Sequence, residues 1–345
     1  MFSDQNSLAE HPIKDYIHPM TSSRAPKTID LFAGAGLLSE GFRRSGFETV
    51  FAAEADDRAV RTFNSNVARV AEQWDVERVR SDLKCDVVVA GPPCQGFSSL
   101  GKRQAHDERN RLSLCVVDWI LASGASVAVI ENVPQFLKST YWKTIRRRLK
   151  RHGFEAVEWV LNAADFGAPQ FRTRAFGVLS RIGLPQLPEA GHRRHVTVRE
   201  AFSGLPLQTE EQGMHVSPVP SETATRRFEL IPERGDKRNL MERAPELCPP
   251  SWFKIAGEAT DVWGRMDFDR PANTVRCCFQ NASKGRYIHP VAHRVISLRE
   301  GARLQGVPDH WTFHGDRSSV ARQIGNGVPI PLAEAVAGSI ARLFG

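Results

Sequence analysis

The sequence predicts an α/β protein: a doubly wound, Rossmann-like parallel sheet followed by a smaller, irregular second domain. Three observations carry this prediction. Short apolar, β-branched runs alternate with helical segments over the first 180 or so residues. The first run ends in the glycine cluster Gly34-Ala35-Gly36. The rhythm then stops near residue 183 and gives way to a stretch rich in Pro, Arg, Glu and Gly.

Residues 27–33 (KTIDLFA) read as a strand, the glycines as a tight turn, and LLSEGFRRSGF as a helix. ETVFAAE (48–54) is a second strand closing on an acid, and DDRAVRTFNSNVARV a second helix. Asp82 sits where a third strand could end. DVVVAG (86–91) and VAVIENV (127–133) are unbroken apolar runs of the kind found in parallel strands buried on both faces. RLSLCVVDWILASG and YWKTIRRRLKRHG read as helices, and FEAVEWVLNA and RAFGVLS (174–180) as the last strands. Helical spacing returns in SLREGARLQG (297–306) and PLAEAVAGSIARLF (331–344), the latter with an apolar face that must pack on something. VTVREAFSGLP (196–206) faintly echoes VISLREGARLQG (295–306), which we read as chance or shared helix-start chemistry rather than a repeat.

At 345 residues the chain is long enough for one large domain or two modest ones, and 41% hydrophobic with 25% charged residues is ordinary for a globular protein. No apolar run reaches membrane-spanning length, and residues 1–25 read as a loose tail without the pattern of a signal or transit peptide. The net charge of +7 suits a polyanionic partner but decides little alone. None of the six cysteines forms a C-x-x-C pair, and no Cys/His cluster has zinc spacing, so no metal is expected and the thiols are expected free.

The chemistry-bearing residues gather where strands should end, the rim at which this architecture binds ligands. Glycines at 34 and 36 let backbone approach a ligand, and Glu54, 20 residues after Gly34, stands where a carboxylate meets ribose hydroxyls. These features alone say only that a nucleotide-like ligand sits at the strand ends. Cys94 follows a buried strand inside GPPCQGFSSLG, where two prolines fix the backbone before it. That context favours a nucleophile on a rim loop over a small core thiol. Glu131 closes the neighbouring strand, and an acid there is costly unless it is paired or used. Arg172 and Arg174 alternate at the start of a strand and can share one face.

In order, the motifs DLFAGAGLLSEGF, GPPCQGFS, ENV, QFRTR, RVISLREGARLQGVP and QIGNGVPIP resemble the DNA (cytosine-5) methyltransferase family, of the bacterial or phage restriction-modification type. The resemblance covers nearly the whole chain from about residue 27, apart from roughly 184–265; it departs from the family at Leu37, where another glycine is usual. It implies S-adenosylmethionine as cofactor and methyl transfer to C5 of a flipped-out cytosine in double-stranded DNA. Cys94 would add to C6, Glu131 would hold N3 and the exocyclic amine, Arg174 would contact O2, and Arg172 would support the pocket. Phe32, Gly34, Ala35 and Gly36 would line the cofactor, Glu54 would bind its ribose, Asp82 with Leu83 its adenine, and Asn326 and Val328 would close its pocket. Ser98 and Arg109, in a catalytic loop, and Arg226, Arg227 and Lys254, in a target-recognition segment, would contact DNA.

The expected organisation is therefore a tail (1–25), a catalytic and cofactor-binding domain (26–184), a target-recognition domain (185–290) and a C-terminal segment (291–345) returning to the first domain. The resemblance further implies a cytoplasmic, nucleoid-associated enzyme for which a monomer suffices, with a cognate restriction endonuclease as functional rather than physical partner. The recognition sequence, and the base that removes the C5 proton, are not legible. An RNA cytosine-5 methyltransferase on the same fold is the nearest alternative. Its tRNA-directed branch carries Cys-Phe-Thr, which Cys278-Phe279-Gln280 is not, and ENV argues against the class with two catalytic cysteines. A catalytically dead DNA-binding regulator would not need both Cys94 and Glu131.

Overall fold

The computed structural model describes residues 24–93, 111–191, 194–254 and 261–345, with the side chain of Lys254 outside the description. Seven strands form one sheet: β1 (Lys27–Leu31), β2 (Glu48–Glu54), β3 (Ala71–Gln73), β4 (Val87–Ala90), β5 (Val127–Asn132), β6 (Glu155–Asn162) and β7 (Thr173–Ser180). Their order is β3-β2-β1-β4-β5-β7-β6. The first five are parallel, while β7 runs antiparallel between β5 and β6. Strand order reverses between β1 and β4, so the crevice beyond their C-terminal ends is the topological switch point.

Every residue of β4 and β5 is buried, because helices cover both faces of the sheet. Alternation sorts their side chains. Val88, Ala90, Ala128 and Ile130 face one core, closed by Trp119 and Ile120 of α3 (Cys115–Ser123) and by Trp142, Ile145 and Leu149 of α4 (Thr140–Lys150). Val87, Val89, Val127 and Val129 face the other, where Leu38 and Phe42 of α1 (Leu37–Arg44) meet Leu332, Val336 and Ile340 of the C-terminal helix Ile330–Ala341. The chain end thus packs on the first helix. Contact is closest at Gly41, where a Cβ would stand 2.4 Å from the Ala333 Cβ.

Between β7 and the C-terminal helix the described residues form short helices and loops rather than strands. They include α5 (Val198–Phe202), α6 (Glu222–Leu230), α7 (Lys237–Arg243), α8 (Pro250–Lys254), α9 (Leu298–Leu304) and α10 (Arg317–Asn326); the C-terminal helix is α11. One small core gathers Phe228, Ile231, Leu240 and Trp263 with Ile288 and Val295. A second joins Val198, Met266, Val275, Phe279 and Tyr287 to α9, α10 and, from the glycine turn, Ala35 and Leu37.

Two sequence readings change here, and a third is narrowed. The third strand ends at Gln73, not at Asp82. Helix α10 was not foreseen, since its mostly polar first seven residues (RSSVARQ) hide its apolar side. The echo between residues 196–206 and 295–306 is helix-start chemistry. Thr197 with Glu200 and Ser297 with Glu300 form capping boxes, and the two helices they start pack together. The basic helix α4 is largely a solvated face, with Arg146 and Arg148 paired to Glu158 and Asp118.

Because Ala333 backbone and Cβ both crowd Gly41, a side chain there must force α1 and α11 apart. Gly41→Leu is expected to lower unfolding free energy by about 1–3 kcal/mol despite leucine's better helix propensity. A lower urea midpoint at unchanged slope would show it; an unchanged midpoint would mean the helices part freely.

Candidate active site

A cavity of about 720 Å³ opens at the switch point, within the usual size of ligand pockets. Its walls come from the ends of β1, β2, β4 and β5, the start of β7, and α10 with the turn after it.

The glycine turn forms one wall. Phe32, Gly34 and Gly36 all have positive φ (61°, 55° and 86°), a conformation that a bulky residue such as Phe32 adopts only under constraint from its surroundings. A Cβ at Gly34 would meet no protein atom within 4 Å, so this backbone is bare toward the cavity it lines. Gly36 precedes α1 without any side-chain cap. Leu37, the departure from the family pattern, is buried and rests against Gly327 beyond α10.

Of the carboxylates at this rim, Glu54, Glu131 and Asp30 are each held differently. Glu54 accepts from three backbone amides: Gly34 N at 2.8 Å on Oε2, and Ala55 N and Asp56 N at 2.8 and 2.9 Å on Oε1. That fixes the carboxylate while leaving lone pairs for ligand hydroxyls. Glu131, at the end of β5, is buried and paired with Arg174, Oε1 to Nε at 2.9 Å. Burial raises its pKa above the ordinary carboxylate range, against the opposing pull of Arg174 and Arg172. Asp30 is buried beneath the glycine turn, where it accepts from Ser39 Oγ at 2.6 Å.

The loop leaving β4 reaches Glu131 directly. A Cβ on Gly91 would lie 3.6 Å from Glu131 Oε2, and Asn132 Nδ2 donates to Pro92 O at 3.0 Å. Pro92 and Pro93 line the cavity; Cys94 follows them in the chain but lies outside the described residues, as do Ser98 and Arg109.

The two arginines of QFRTR do different work. Arg174 faces Glu131. Arg172 is buried and donates to Val275 O at 2.8 Å and Gly325 O at 2.9 Å, tying the catalytic sheet to the segment that closes the cavity. Gln170 extends the tie, donating to Leu304 O and Gln305 Oε1 at 2.7 Å and accepting from Val275 N. Asn326, the last residue of α10, and Val328 beyond it line the cavity, joined by Arg322 and Gln323 of the helix.

Some expected residues are not brought here. Asp82 is exposed and paired with Arg80 at 2.9 Å, and Leu83 packs on the core; neither lines the cavity. Trp74, Asp75 and Val76 line it instead, because β3 is only three residues long and delivers the chain to the rim earlier. A strand with two of three residues exposed has no hydrophobic signal, although the WDV triplet marked its end. Arg227 is likewise turned inward: its guanidinium lies over the Trp252 and Trp263 rings and donates to Leu247 O at 2.8 Å. Arg226, its neighbour on α6, is exposed. Among the described residues no His/Cys/Asp/Glu cluster suits a metal ion, and no helix is long and apolar enough to cross a membrane.

Comparison with known proteins gives this arrangement its family. Residues 26–342 match the family described as C-5 cytosine-specific DNA methylase. The chain belongs to that family. It is 30% identical to the Type II methyltransferase M.NgoFVII of Neisseria gonorrhoeae, over 94% of this chain and 88% of the relative. It is 32% identical to M.XorII of Xanthomonas oryzae, over 91% and 84%. Among solved structures, a prophage-encoded Escherichia coli protein assigned as a DNA modification methyltransferase is 26% identical, with TM-score 0.67, over 92% of this chain and 99% of that one. As a C-5 cytosine-specific DNA methylase, the chain is a methyltransferase with the Rossmann-like fold seen in its sheet.

The tie made by Arg172 generates a test. Arg172→Ala strands two buried carbonyls and should cost about 2–4 kcal/mol of stability. Arg174→Ala should cost less than half of that, since Glu131 escapes the lost charge by taking up a proton. Chemical denaturation of both variants checks the ranking; equal losses would remove the distinction drawn between them.

Proposed function

We propose that this DNA cytosine-5 methyltransferase uses S-adenosylmethionine to methylate a cytosine flipped out of double-stranded DNA, through a covalent bond from Cys94 to C6. The observation that carries the reading is the pairing, on adjacent strand ends, of a buried Glu131–Arg174 unit with the prolines that lead directly into Cys94.

The cavity fits the cofactor. Gly34 offers bare backbone, Glu54 offers a fixed carboxylate to the ribose hydroxyls, and Asp75 replaces Asp82 as acceptor for the adenine amine, with Trp74 and Val76 beside it. Phe32, Ala35, Asn326 and Val328 complete the walls. When bound, the cofactor supplies an electrophilic methyl group on sulfur.

Carbon 5 of cytosine is too weak a nucleophile to take that methyl unaided. Addition of the Cys94 thiolate to C6 pushes the C5=C6 electron pair onto C5, provided negative charge does not build up at N3. Glu131 meets this need. Burial favours its protonated form, and in that form the acid donates to N3 and accepts a hydrogen bond from the exocyclic amine. Arg174, held against Glu131, is positioned for O2, and Arg172 locks the strand that presents it. After methyl transfer, loss of the C5 proton to a base returns the electron pair to the ring and expels Cys94. Flipping removes the base from its stack, at a cost of about a few kcal/mol.

Ser98 and Arg109 after Cys94, Arg226 on α6 and Lys254 at the end of α8 are proposed to contact DNA; Arg227 instead braces the segment that carries Arg226. The Type II relatives favour a protective role beside a cognate restriction endonuclease.

Methyl transfer from labelled cofactor to genomic DNA and, in parallel, to total tRNA tests the reading. Wild type should label DNA, and Cys94→Ala should abolish labelling. Label confined to tRNA would move the enzyme to RNA. Glu131→Gln should lose at least about 10²-fold in rate, the size of a general-acid contribution. In wild type, the step needing protonated Glu131 should weaken as pH rises through its raised pKa. That alkaline limb should vanish in the glutamine variant, and its persistence would assign the titration to another group.

A further inference from the structure

One stretch of the chain carries a charge that neither the fold nor the cavity uses. Residues 133–154 hold seven Lys and Arg and no Asp or Glu. The whole chain has a net charge of +7, so everything outside this stretch sums to zero. Most of the stretch is α4, whose inner face is fixed by Trp142, Ile145 and Leu149. Arg146 and Arg148 stand at the two borders of that face, where they reach Glu158 of β6 and Asp118 of α3. The other five, Lys138, Lys143, Arg147, Lys150 and Arg151, are exposed. None of them has an ion-pair partner among the described residues.

Helix stability does not account for this arrangement. Cations favour the last turn of a helix, which suits Arg147 and Lys150. Lys143, however, stands in the first turn of α4, where no acid offsets it. Lys143 with Arg147, and Arg147 with Arg151, are like charges four residues apart, a spacing that repels. Positions 143, 147, 150 and 151 share one outward stripe about 12 Å long. Lys138 continues it to the rim, in the short helical turn Pro134–Lys138 that follows the cavity residues Asn132 and Val133. A stripe with no counter-charge in the chain calls for one in a partner.

Resting on the DNA reading above, we propose that this stripe is a second, sequence-independent DNA surface that holds duplex outside the target site. Duplex supplies the missing charge. Each strand presents a phosphate about every 3.4 Å, so the stripe faces about three or four of them. Lys and Arg on an exposed helix grip phosphates without reading bases. The recognition segment then chooses the sequence, while α4 adds affinity that depends on salt and not on sequence. Such a hold on non-target DNA lets the enzyme reach its site by moving along the duplex.

The quadruple variant Lys143→Gln, Arg147→Gln, Lys150→Gln, Arg151→Gln tests this in the full chain. Fluorescence anisotropy with a labelled random-sequence duplex gives the affinity between about 50 and 200 mM salt. Each phosphate contact contributes about 0.9 to the slope of log K against log salt, so the slope should fall by about 3 to 4. Across that range wild type should lose about 10²-fold more affinity than the variant. The kcat on saturating genomic DNA at low salt should stay at the wild-type value, because none of the four residues lines the cavity. A slope change below about 1 overturns the proposal. So does tighter binding of total tRNA than of duplex that the same four changes abolish, which assigns the stripe to RNA. Should the quadruple variant fail to fold, the double variant Lys143→Gln, Arg147→Gln decides: its slope should fall by about 2, and an unchanged slope overturns the proposal. If wild type binds duplex not at all, the DNA reading itself fails and the role of the stripe falls with it.

Discussion

The guanidinium of Arg172 joins two parts of the chain that are far apart in sequence. It leaves the start of β7 and donates to carbonyls at Val275 and Gly325, 103 and 153 residues away. The cavity depends on this tie. Its floor is the sheet, but one wall is α10 and the turn after it, and nothing in local sequence holds that wall to the floor. Gln170 repeats the device one alternation earlier, through Gln305 and Val275. Buried polar links of this kind add little net stability, yet they are directional, and a cavity needs direction more than it needs affinity between its walls.

Three acids of the rim illustrate how environment sets the properties of one functional group. Glu54 is surrounded by backbone amides and remains an acceptor. Glu131 is buried against an arginine, where desolvation and the guanidinium oppose each other and desolvation prevails, which raises its pKa. Asp30 is buried with one oxygen accepting from Ser39 and the other unmatched. The strand ends thus present the same carboxyl group under three different solvations.

Much of this was legible in the sequence. Buried strands announce themselves by unbroken apolar runs, and β4 and β5 begin and end within a residue or two of where VVVA and VIEN place them. Glu54 and Glu131 could be found because each closes such a run. The cavity-lining residues Trp74, Asp75 and Val76 were missed because β3 has no hydrophobic signal, and the choice fell on Asp82, an exposed acid that simply pairs with Arg80. Arg227 was read as a DNA contact from its charge and its aromatic neighbours. Those aromatics turned out to be its own packing partners, Trp252 and Trp263, brought together only in the fold.

The sequence by itself determined the alternation of strands and helices, the glycine turn, and the placing of reactive side chains at strand ends, because these follow from local sterics and from periodicity. It also determined the family, through motifs whose order survives any folding. The tertiary structure decided which acid reaches the cavity, which arginine meets Glu131 and which serves as a tie, and that Asp30 is left with an unmatched oxygen. Those outcomes depend on where segments separated by more than a hundred residues come to rest. Partnership across such distances is a property of packing, and no local pattern encodes it.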